Sequence, residues 1–360
     1  MKEKVILAMS GGVDSSVAAF LLKEKGYEVI GITMQVWQSE GVDAVEARAG
    51  CCGMTAVEDA RFVAHKLGFT HYVLNFRDIF REKVIDYFAD EYMNGKTPNP
   101  CIACNRYVKW EYLFQRAREL GADYIATGHY AKIITHSHTK RLTIQALESA
   151  KDQSYALYNL SQEQLKQTLF PLSDFPDKNE VRELAMRELG LRVAYKPDSQ
   201  EICFVPDNDY GAFLEEYFGK KLLEGDFVDE TGNKIGKHKG IARYTIGQRK
   251  GLGSFGKPMF VKEIDVTNNV VVLADESALY KTTMRVNDIS YMSHQDFDTL
   301  EAFGKIRYSH KASACTIKKI NESEIECTFQ NPQRAITKGQ SAVFYDESGS
   351  IICGGIIVNV

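Results

Sequence analysis

A run of small and acidic residues near the start of the chain, SGGVDS at 10–15, has the composition of an anion-binding loop. It follows the apolar run Val5–Ala8 and precedes a second apolar run at Val17–Leu22, which predicts a position between a strand and a helix. The first backbone N–H groups of a helix lack partners, and the helix dipole favours an anion there. Serine and glycine carry little bulk, so a phosphate can reach the backbone, and a nucleotide phosphate is the first candidate ligand.

This loop matches neither of two common nucleotide-binding patterns. A Walker A loop needs a lysine before its final serine or threonine, and the segment has none. The dinucleotide pattern G-x-G-x-x-G fails because Gly11 and Gly12 are adjacent. Asp14 instead puts an acidic residue inside the loop. A glycine-rich turn that binds no ligand is the alternative interpretation.

Three of the eight cysteines are candidates for chemistry: Cys101, Cys104 and Cys203. The amino terminus has too short an apolar run for a signal peptide, and no stretch approaches the roughly 20 apolar residues that span a bilayer. We therefore expect a cytoplasmic chain with reduced cysteines. Cys104 and Cys203 are predicted to lie on loops, where burial is disfavoured. The other five are predicted to be structural, namely Cys51, Cys52, Cys315, Cys327 and Cys353.

A local excess of basic residues contrasts with the net charge of −4. The segment 234–250 contains no acidic residue, and its lysines and arginines are Lys234, Lys237, Lys239, Arg243, Arg249 and Lys250. Such a stripe is typical of a surface that contacts nucleic-acid phosphates. A solvated β surface is the alternative.

The elements that must position these residues alternate between strand and helix over the first two hundred residues. Strands are predicted at 4–10, 27–37, 71–76 and 123–133, and helices at 15–25, 55–68, 80–95 and 110–121. This alternation predicts an α/β fold with a doubly wound, mostly parallel sheet. Ligands of such sheets bind beyond the carboxyl ends of the strands, where the glycine loop, Met34 and TGHY at 127–130 are expected to converge.

The pattern changes to all-β after about residue 205. Short alternating apolar runs follow, with hairpin signals at TNN (267–269) and DESGS (346–350). We expect three domains: an α/β domain at 1–205, a small β-rich domain at 206–275 and a β-barrel at 276–360.

The loop SGGVDS resembles the PP-loop of the ATP pyrophosphatase superfamily, whose members adenylate a substrate and release pyrophosphate. The resemblance implies ATP as a ligand, with Asp14 suited to hold a Mg²⁺ ion that neutralises the leaving pyrophosphate. The residues that it assigns to the ATP site are Ala8, Met9, Ser10, Gly11, Gly12, Val13, Asp14, Ser15, Met34 and Gly128.

Further motifs resemble the tRNA 2-thiouridylases of the MnmA family, in the same order along nearly the whole chain. They are TPNPCIACNRYVKW (97–110), TGHYA (127–131), KDQSYAL (151–157), KPDSQEICF (196–204), YTIGQRKGLG (244–253), IRYSH (306–310) and GQSAVFY (339–345). The resemblance implies replacement of the C2 oxygen of a wobble uridine in a tRNA anticodon loop by sulfur. It also implies a sulfur donor protein, which is either a cysteine desulfurase or a persulfide relay protein.

The same resemblance assigns roles to two cysteines. Cys203 carries a persulfide that attacks the adenylated base, and Cys104 is the nucleophile that then attacks the bridging sulfur. This leaves a Cys104–Cys203 disulfide, which requires the two residues to approach one another.

The implied tRNA contacts are distributed over the chain. Those near the target base are Asn99, Pro100 and Cys101, and those to the rest of the tRNA are His129, Lys151, Asp152, Gln153, Arg307, Tyr308 and Gln340. His129 has a second interpretation, as a structural histidine at the end of a strand. Tyr107, Trp110 and Tyr308 are candidates for stacking on a flipped base, although core packing is the commoner role at such spacing.

The sequence departs from the family pattern at Cys101, where many members have an aspartate. With Cys104 and Cys203 this gives three soft ligands, which are suited to an iron–sulfur cluster whose free iron binds sulfide. Persulfide relay is favoured over cluster-borne sulfide, and zinc on the single CxxC pair is weaker. Two other functions stay open at this point: a PP-loop synthetase with a small-molecule acceptor, and a non-catalytic RNA-binding protein that holds ATP structurally.

Overall fold

The computed structural model describes residues 2–36, 54–149, 151–175, 177–190, 194, 202–205 and 209–360. Cys51 and Cys52 and most of the motif at 196–204 lie outside these residues, so their predictions stay untested. The chain forms two compact units. The first comprises Met1–Val84, Cys101–Phe204 and Ser348–Ile351, and the second comprises Ile85–Pro100, Val205–Glu347 and Ile352–Val360.

A five-stranded parallel sheet forms the centre of the first unit. The strands of this unit are β1 (Lys4–Ala8), β2 (Glu28–Gln35), β3 (Thr70–Asn75), β4 (Tyr124–Ala126), β5 (Lys132–Thr135), β6 (Leu142–Gln145) and β7 (Thr168–Leu169). The sheet order is β3-β2-β1-β4-β7, and every pairing is parallel. The predicted parallel sheet is therefore confirmed. The chain order reverses between β1 and β4, which is where open α/β sheets bind ligands.

The strand predicted at 123–133 is wrong in extent. The structure has two short strands there, because β4 ends at Ala126 and β5 begins at Lys132 as part of a hairpin with β6. The intervening residues 127–131 leave the sheet and carry Gly128 and His129. Gly128 interrupts the strand pattern at this point, and a glycine within such a pattern often marks a close backbone approach.

The helices in the described part of the chain are mostly short. They are α1 (Val13–Glu24), α2 (Met54–Leu67), α3 (Arg77–Phe80), α4 (Tyr87–Met93), α5 (Pro100–Ala103), α6 (Phe114–Glu119), α7 (Gln162–Lys166), α8 (Lys178–Leu184) and α9 (Tyr210–Phe218), with π-helical turns at Arg81–Asp86, Cys104–Leu113 and Ala185–Leu189. Among the residues that the structure describes, no helix is long and apolar enough to cross a bilayer.

The expected loop around Cys104 is wrong, because this residue begins the π-helical segment Cys104–Leu113. Pro100 begins the helical stretch, a position that suits proline because the first turn needs no N–H from it. Val108, Trp110 and Leu113 then bury one side of the segment. The motif TPNPC therefore marks a helix start and not a continuing loop.

The second unit contains the all-β elements that the sequence predicts. A four-stranded sheet has the order β10-β11-β8-β9, and its strands are β8 (Gly225–Val228), β9 (Lys234–His238), β10 (Phe260–Asp265) and β11 (Val270–Ala274). A closed barrel follows, with strands β12 (Tyr280–Tyr291), β13 (Thr299–Lys305), β14 (Ser313–Asn321), β15 (Glu324–Arg334), β16 (Ser341–Tyr345) and β17 (Ile351–Asn359). The carboxyl-terminal barrel and the hairpin turn at 267–269 are confirmed.

Three buried cysteines lie in the barrel core, as predicted: Cys315, Cys327 and Cys353. A hydrogen bond with Cys315 and burial both raise the pKa of the Cys327 thiol. Burial likewise raises the pKa of Cys353. These side chains pack among isoleucines and phenylalanines as small apolar groups.

Trp110 is fully buried in the first unit. Its indole Nε1 donates a 3.0 Å hydrogen bond to Thr168 Oγ1, and this hydroxyl donates at 2.7 Å to the Gln164 carbonyl oxygen. The ring also packs against Phe170, with 6.0 Å between the ring centroids. Trp110 is therefore a core residue, and the candidate stacking role is not available to it in this structure.

Substitution Thr168→Val should destabilise the first unit by about 1–3 kcal/mol, because it leaves the buried Trp110 N–H without an acceptor. Urea unfolding followed by the fluorescence of Trp110, in a Trp37→Phe background, measures the loss. Thr168→Ser keeps the hydroxyl and should retain most of the stability. Equal stability of the Val and Ser variants would show that the hydrogen bond contributes nothing.

Candidate active site

The predicted phosphate loop connects β1 to the first turn of α1. Gly12 occupies the N-cap position and, as a glycine, offers no side chain to the N–H groups of that turn. The hydroxyls of Ser15 and Ser16 donate to the Gly12 carbonyl oxygen at 3.1 and 2.9 Å, which keeps both side chains close to the loop. The first turn of a twelve-residue helix thus presents uncapped donors to an anion.

Two close backbone approaches hold this loop in place. Gly11 has φ +67°, and a Cβ built on it would lie 2.1 Å from the carbonyl oxygen of Ala56 in α2. A Cβ on Gly128 would lie 2.9 Å from both the carbonyl carbon of Asp14 and the nitrogen of Ser15. Any side chain at either position would push the loop away. The segment after β4 therefore packs directly on the first turn of α1, as the sheet topology predicts.

Met34 lies near the same edge of the sheet. The Met9 N–H donates to the Ile32 carbonyl oxygen at 2.8 Å, so β2 runs beside the strand that leads into the loop. Met34 is half-buried two residues further along β2. The structure thus brings all the residues assigned to the ATP site to the ends of β1, β2 and β4.

The carboxylate of Asp14 has two partners. Its Oδ1 accepts a 2.8 Å hydrogen bond from the Tyr130 hydroxyl, and its Oδ2 forms a 2.8 Å ion pair with Lys178 Nζ. The Asp14 side chain stays 29% exposed, so a cation can reach it. A carboxylate beside uncapped N–H groups has the chemistry to hold Mg²⁺, which would supply positive charge next to a bound phosphate. The sequence predicts that the segment containing Tyr130 lies near the loop but assigns this tyrosine no role, and it gives no sign that Lys178 contacts Asp14.

Gln153 links the predicted RNA segment at 151–153 to this site. Its Oε1 accepts from the Tyr130 N–H at 2.9 Å, and its own N–H donates to the Tyr130 carbonyl oxygen at 3.0 Å. Asp152 accepts hydrogen bonds from Leu147 N–H and from the Ser154 hydroxyl, at 3.1 and 2.7 Å. Both side chains therefore have partners within the protein, and Lys151 is half-buried beside them.

The candidate cysteines differ in exposure. Cys101 and Cys203 are exposed and Cys104 is half-buried, and Cys104 and Cys203 are not joined by a disulfide in this structure. Asn105 fixes the backbone next to Cys104, because its amide donates to the Ala156 carbonyl oxygen at 2.9 Å and it accepts from Lys109 at 2.7 Å. Sequence reasoning missed this asparagine.

Among the residues that the structure describes, no three His, Cys, Asp or Glu side chains form a group that could hold a metal ion. Cys101, Cys104 and Cys203 are all described, and they are not gathered into such a group. The iron–sulfur and zinc hypotheses therefore gain no support from this arrangement.

His129 lies between aromatic rings next to Gly128. Its ring centroid is 5.6 Å from that of Trp110 and 6.2 Å from that of Phe170, and Nδ1 is 2.7 Å from Thr127 Oγ1. Burial, with a smaller contribution from the positive charge of Lys109, lowers the pKa of His129 well below its ordinary value. The imidazole is therefore neutral near pH 7, and this geometry favours the structural interpretation.

The other residues assigned to tRNA lie in the second unit. Arg307 donates to Thr337 Oγ1 at 2.6 Å and to the carbonyl oxygens of Ala335 and Ile246. Gln340 Nε2 donates to the Thr97 carbonyl oxygen at 2.7 Å. Tyr308 is exposed, with Lys305 Nζ 5.6 Å from its ring centroid. Asn99 is half-buried and Pro100 is buried at the start of α5.

Only part of the basic stripe is available to a ligand. Lys234 and Lys237 contact Asp226 on β8 at 2.8 and 3.1 Å, and their hydrogen bonds lower the pKa of Asp226. Arg243 pairs with Asp209 and Glu215 at 3.1 and 3.2 Å. The remaining three, Lys239, Arg249 and Lys250, are exposed and make no ion pair with any described residue.

Comparison with known proteins identifies the family. A protein named tRNA-specific 2-thiouridylase MnmA from Lachnoclostridium phytofermentans is 54% identical over 98% of this chain and 98% of its own length. One of the same name from Clostridioides difficile is 55% identical over 99% of this chain and 98% of its own length. The chain belongs to the MnmA family of tRNA-specific 2-thiouridylases.

Domain models match along the same chain. They are described as a tRNA methyl transferase HUP domain at 3–207, a tRNA methyl transferase PRC-barrel domain at 211–275 and an aminomethyltransferase beta-barrel domain at 281–358. The solved structure of a 4-thiouridine synthetase with RNA and ATP is 20% identical to this chain, with a TM-score of 0.33 over 56% of this chain and 45% of that chain.

The neutral state of His129 predicts a pH dependence of stability. The unfolded chain takes up a proton at this residue near pH 6.5, whereas the folded chain does so only at a lower pH. Stability should therefore fall as the pH falls below 6.5, and His129→Asn should remove that part of the decrease. Urea midpoints measured above and below this pH test it.

His65→Asn serves as the matched control, since His65 is exposed on α2. This control should keep the wild-type dependence on pH. If His129→Asn keeps it as well, the imidazole is not the group that titrates.

Proposed function

We propose that this protein is a tRNA 2-thiouridylase that adenylates the C2 oxygen of a wobble uridine and replaces it with sulfur from a cysteine persulfide. The observation that carries the proposal is sequence identity. Over at least 98% of its length, this chain is 54% and 55% identical to two relatives named tRNA-specific 2-thiouridylase. The geometry of the phosphate loop supports the adenylation step, and the exposure of Cys203 supports the sulfur-transfer step.

The adenylation half uses residues 8–15, Met34 and Gly128. The first-turn N–H groups of α1 bind the ATP phosphates, and the tight contact at Gly128 keeps that turn fixed. Asp14 would hold Mg²⁺, which neutralises charge on the leaving pyrophosphate. The C2 oxygen of the uridine attacks the α-phosphorus, pyrophosphate leaves, and the oxygen becomes part of an AMP leaving group. Lys178 adds a positive charge beside the loop.

The sulfur-transfer half uses Cys203 and Cys104. The terminal sulfur of a Cys203 persulfide, delivered by a donor protein, attacks C2 and AMP departs with its oxygen. The Cys104 thiolate then attacks Cys203 Sγ, and the sulfur–sulfur bond breaks with its electron pair going to the sulfur on C2. The products are 2-thiouridine and a Cys104–Cys203 disulfide, which an external dithiol reduces. The exposure of Cys203 leaves it accessible to the donor.

The tRNA is the macromolecular substrate, and Asn99, Pro100 and Cys101 are proposed to lie beside the target base. A uridine in an anticodon loop can be splayed out of its stack, which gives a protein access to its C2 oxygen. Lys239, Arg249 and Lys250 are proposed to contact phosphates, since they are exposed.

Substitution of either transfer cysteine should separate the two half-reactions. Cys104→Ser and Cys203→Ser should each abolish 2-thiouridine, because serine neither carries nor attacks sulfur, while tRNA-dependent release of pyrophosphate continues. Mass spectrometry of digested tRNA and a pyrophosphate assay measure the two steps. Thiolation that survives in the double variant would contradict the relay.

Two further outcomes of these assays bear on other chemistries. Pyrophosphate release that needs a small molecule and no tRNA would indicate a different acceptor. Loss of thiolation in Cys101→Ser, together with iron in the anaerobically purified wild-type protein, would favour cluster-borne sulfide over the persulfide relay.

The ion pairs of the basic stripe predict unequal effects on tRNA binding. Lys250→Ala should lower the slope of log K against log salt by about one unit, because it removes a phosphate contact. Lys234→Ala should lower it less, since Lys234 already pairs with Asp226 at 2.8 Å. Filter binding over a range of salt concentrations measures both slopes. Equal slopes for the two variants would contradict this division of the stripe.

A further inference from the structure

Thr97 is held from three sides by residues that are distant in sequence. Its N–H donates to the Lys338 carbonyl oxygen at 2.9 Å, and its carbonyl oxygen accepts from Gln340 Nε2 at 2.7 Å. Its hydroxyl lies 3.2 Å from Thr245 Oγ1. We call these contacts the Thr97 clamp. Residues 85–100 accordingly belong to the second compact unit, together with the β elements.

Gly339 allows the backbone of the barrel to reach Thr97. Its φ is +88°, and a Cβ built on it would lie 2.9 Å from both Lys96 Cβ and the Thr97 nitrogen. The neighbouring Gln340 is fixed to the barrel, because its carbonyl oxygen accepts from the Ile357 N–H at 2.9 Å. The clamp is therefore made by the turn between β15 and β16 and is anchored on β17.

Arg307 stabilises the Thr97 clamp through hydrogen bonds. Its guanidinium donates to Thr337 Oγ1, in the turn that carries Gly339 and Gln340, and to the carbonyl oxygen of Ile246, next to Thr245. One side chain thus ties together the two segments that hold Thr97. A guanidinium that makes these internal contacts has fewer donors left for phosphate.

We infer that Arg307 and Gln340 are positioning residues that fix the segment Thr97–Pro100, and so present Asn99 and Pro100 to the target base. This inference rests on the proposed function and changes the role of these two residues from RNA contact to support. Asn99 follows Thr97 by only two residues, so a shift at the clamp moves it. A displacement of about 1 Å at a reacting group can cost on the order of a hundredfold in rate, whereas overall tRNA affinity comes mainly from phosphate contacts.

The kinetic test compares Gly339→Ala and Gln340→Met with the wild-type protein. Both variants should lower the kcat of thiolation by about tenfold to a hundredfold and leave KM for tRNA within about twofold. Gly232→Ala is the matched control, since Gly232 has φ +87° with nothing within 4 Å of its Cβ position. It reproduces the backbone strain without the contact and should keep the wild-type kcat. An unchanged kcat in both clamp variants overturns the inference.

The variant Arg307→Gln distinguishes a positioning role of Arg307 from a direct contact between Arg307 and a tRNA phosphate. If Arg307 contacts a phosphate, the slope of log K against log salt for tRNA binding should fall by about one unit in this variant. If Arg307 positions the segment Thr97–Pro100, the slope should stay unchanged and the kcat should fall. A reduced slope with unchanged kcat overturns the positioning role.

Hydrogen exchange provides a readout that needs no RNA. The Thr97 amide should exchange slowly in the wild-type protein and faster in Gly339→Ala, whose Cβ would force the turn away from it. Rapid exchange of this amide in the wild-type protein overturns the clamp itself. If the wild-type protein forms no 2-thiouridine while the Thr97 amide is protected, it is the proposed function that fails.

Discussion

The backbone contact between Gly128 and the first turn of α1 is the constraint on which the proposed nucleotide site depends. It joins the two strands between which the chain order of the sheet reverses, since β1 leads into the phosphate loop and β4 leads into Gly128. A loop rich in glycine and serine loses much conformational entropy when it is ordered. Packing against Gly128 and Ala56 restrains it before any ligand arrives, which lowers the ordering cost of binding.

The segment that carries Gly128 also orients the carboxylate of Asp14, through Tyr130. This carboxylate is held by Tyr130 on one oxygen and by Lys178 on the other, and Tyr130 is in turn fixed through its backbone by Gln153. The ion pair is partly buried, so salt screens it less than an exposed pair. The acid in the loop is thus oriented by residues from two later segments of the first unit.

The sequence predicted the elements whose periodicity is strong and missed those set by long-range contacts. The parallel sheet and the buried cysteines of the barrel follow from apolar patterning, which requires no knowledge of neighbours. The helix that contains Cys104 is not predicted, because a proline such as Pro100 suits a loop as well as the first turn of a helix. The division of the basic stripe could not be predicted either, because Asp226, Asp209 and Glu215 come from outside the segment. The tRNA roles carried over by resemblance say nothing about the internal partners of Gln153, Arg307 and Gln340.

The raised pKa values of Cys327 and Cys353 have a consequence for selectivity. Sulfur exchange requires a thiolate, and a thiol that stays protonated within a closed barrel neither accepts sulfane sulfur nor attacks a persulfide. Under the proposed sulfur transfer, Cys327 and Cys353 would therefore not compete for the persulfide sulfur. Selectivity among the thiols of this chain would then come from burial in the barrel core and not from a change of residue type.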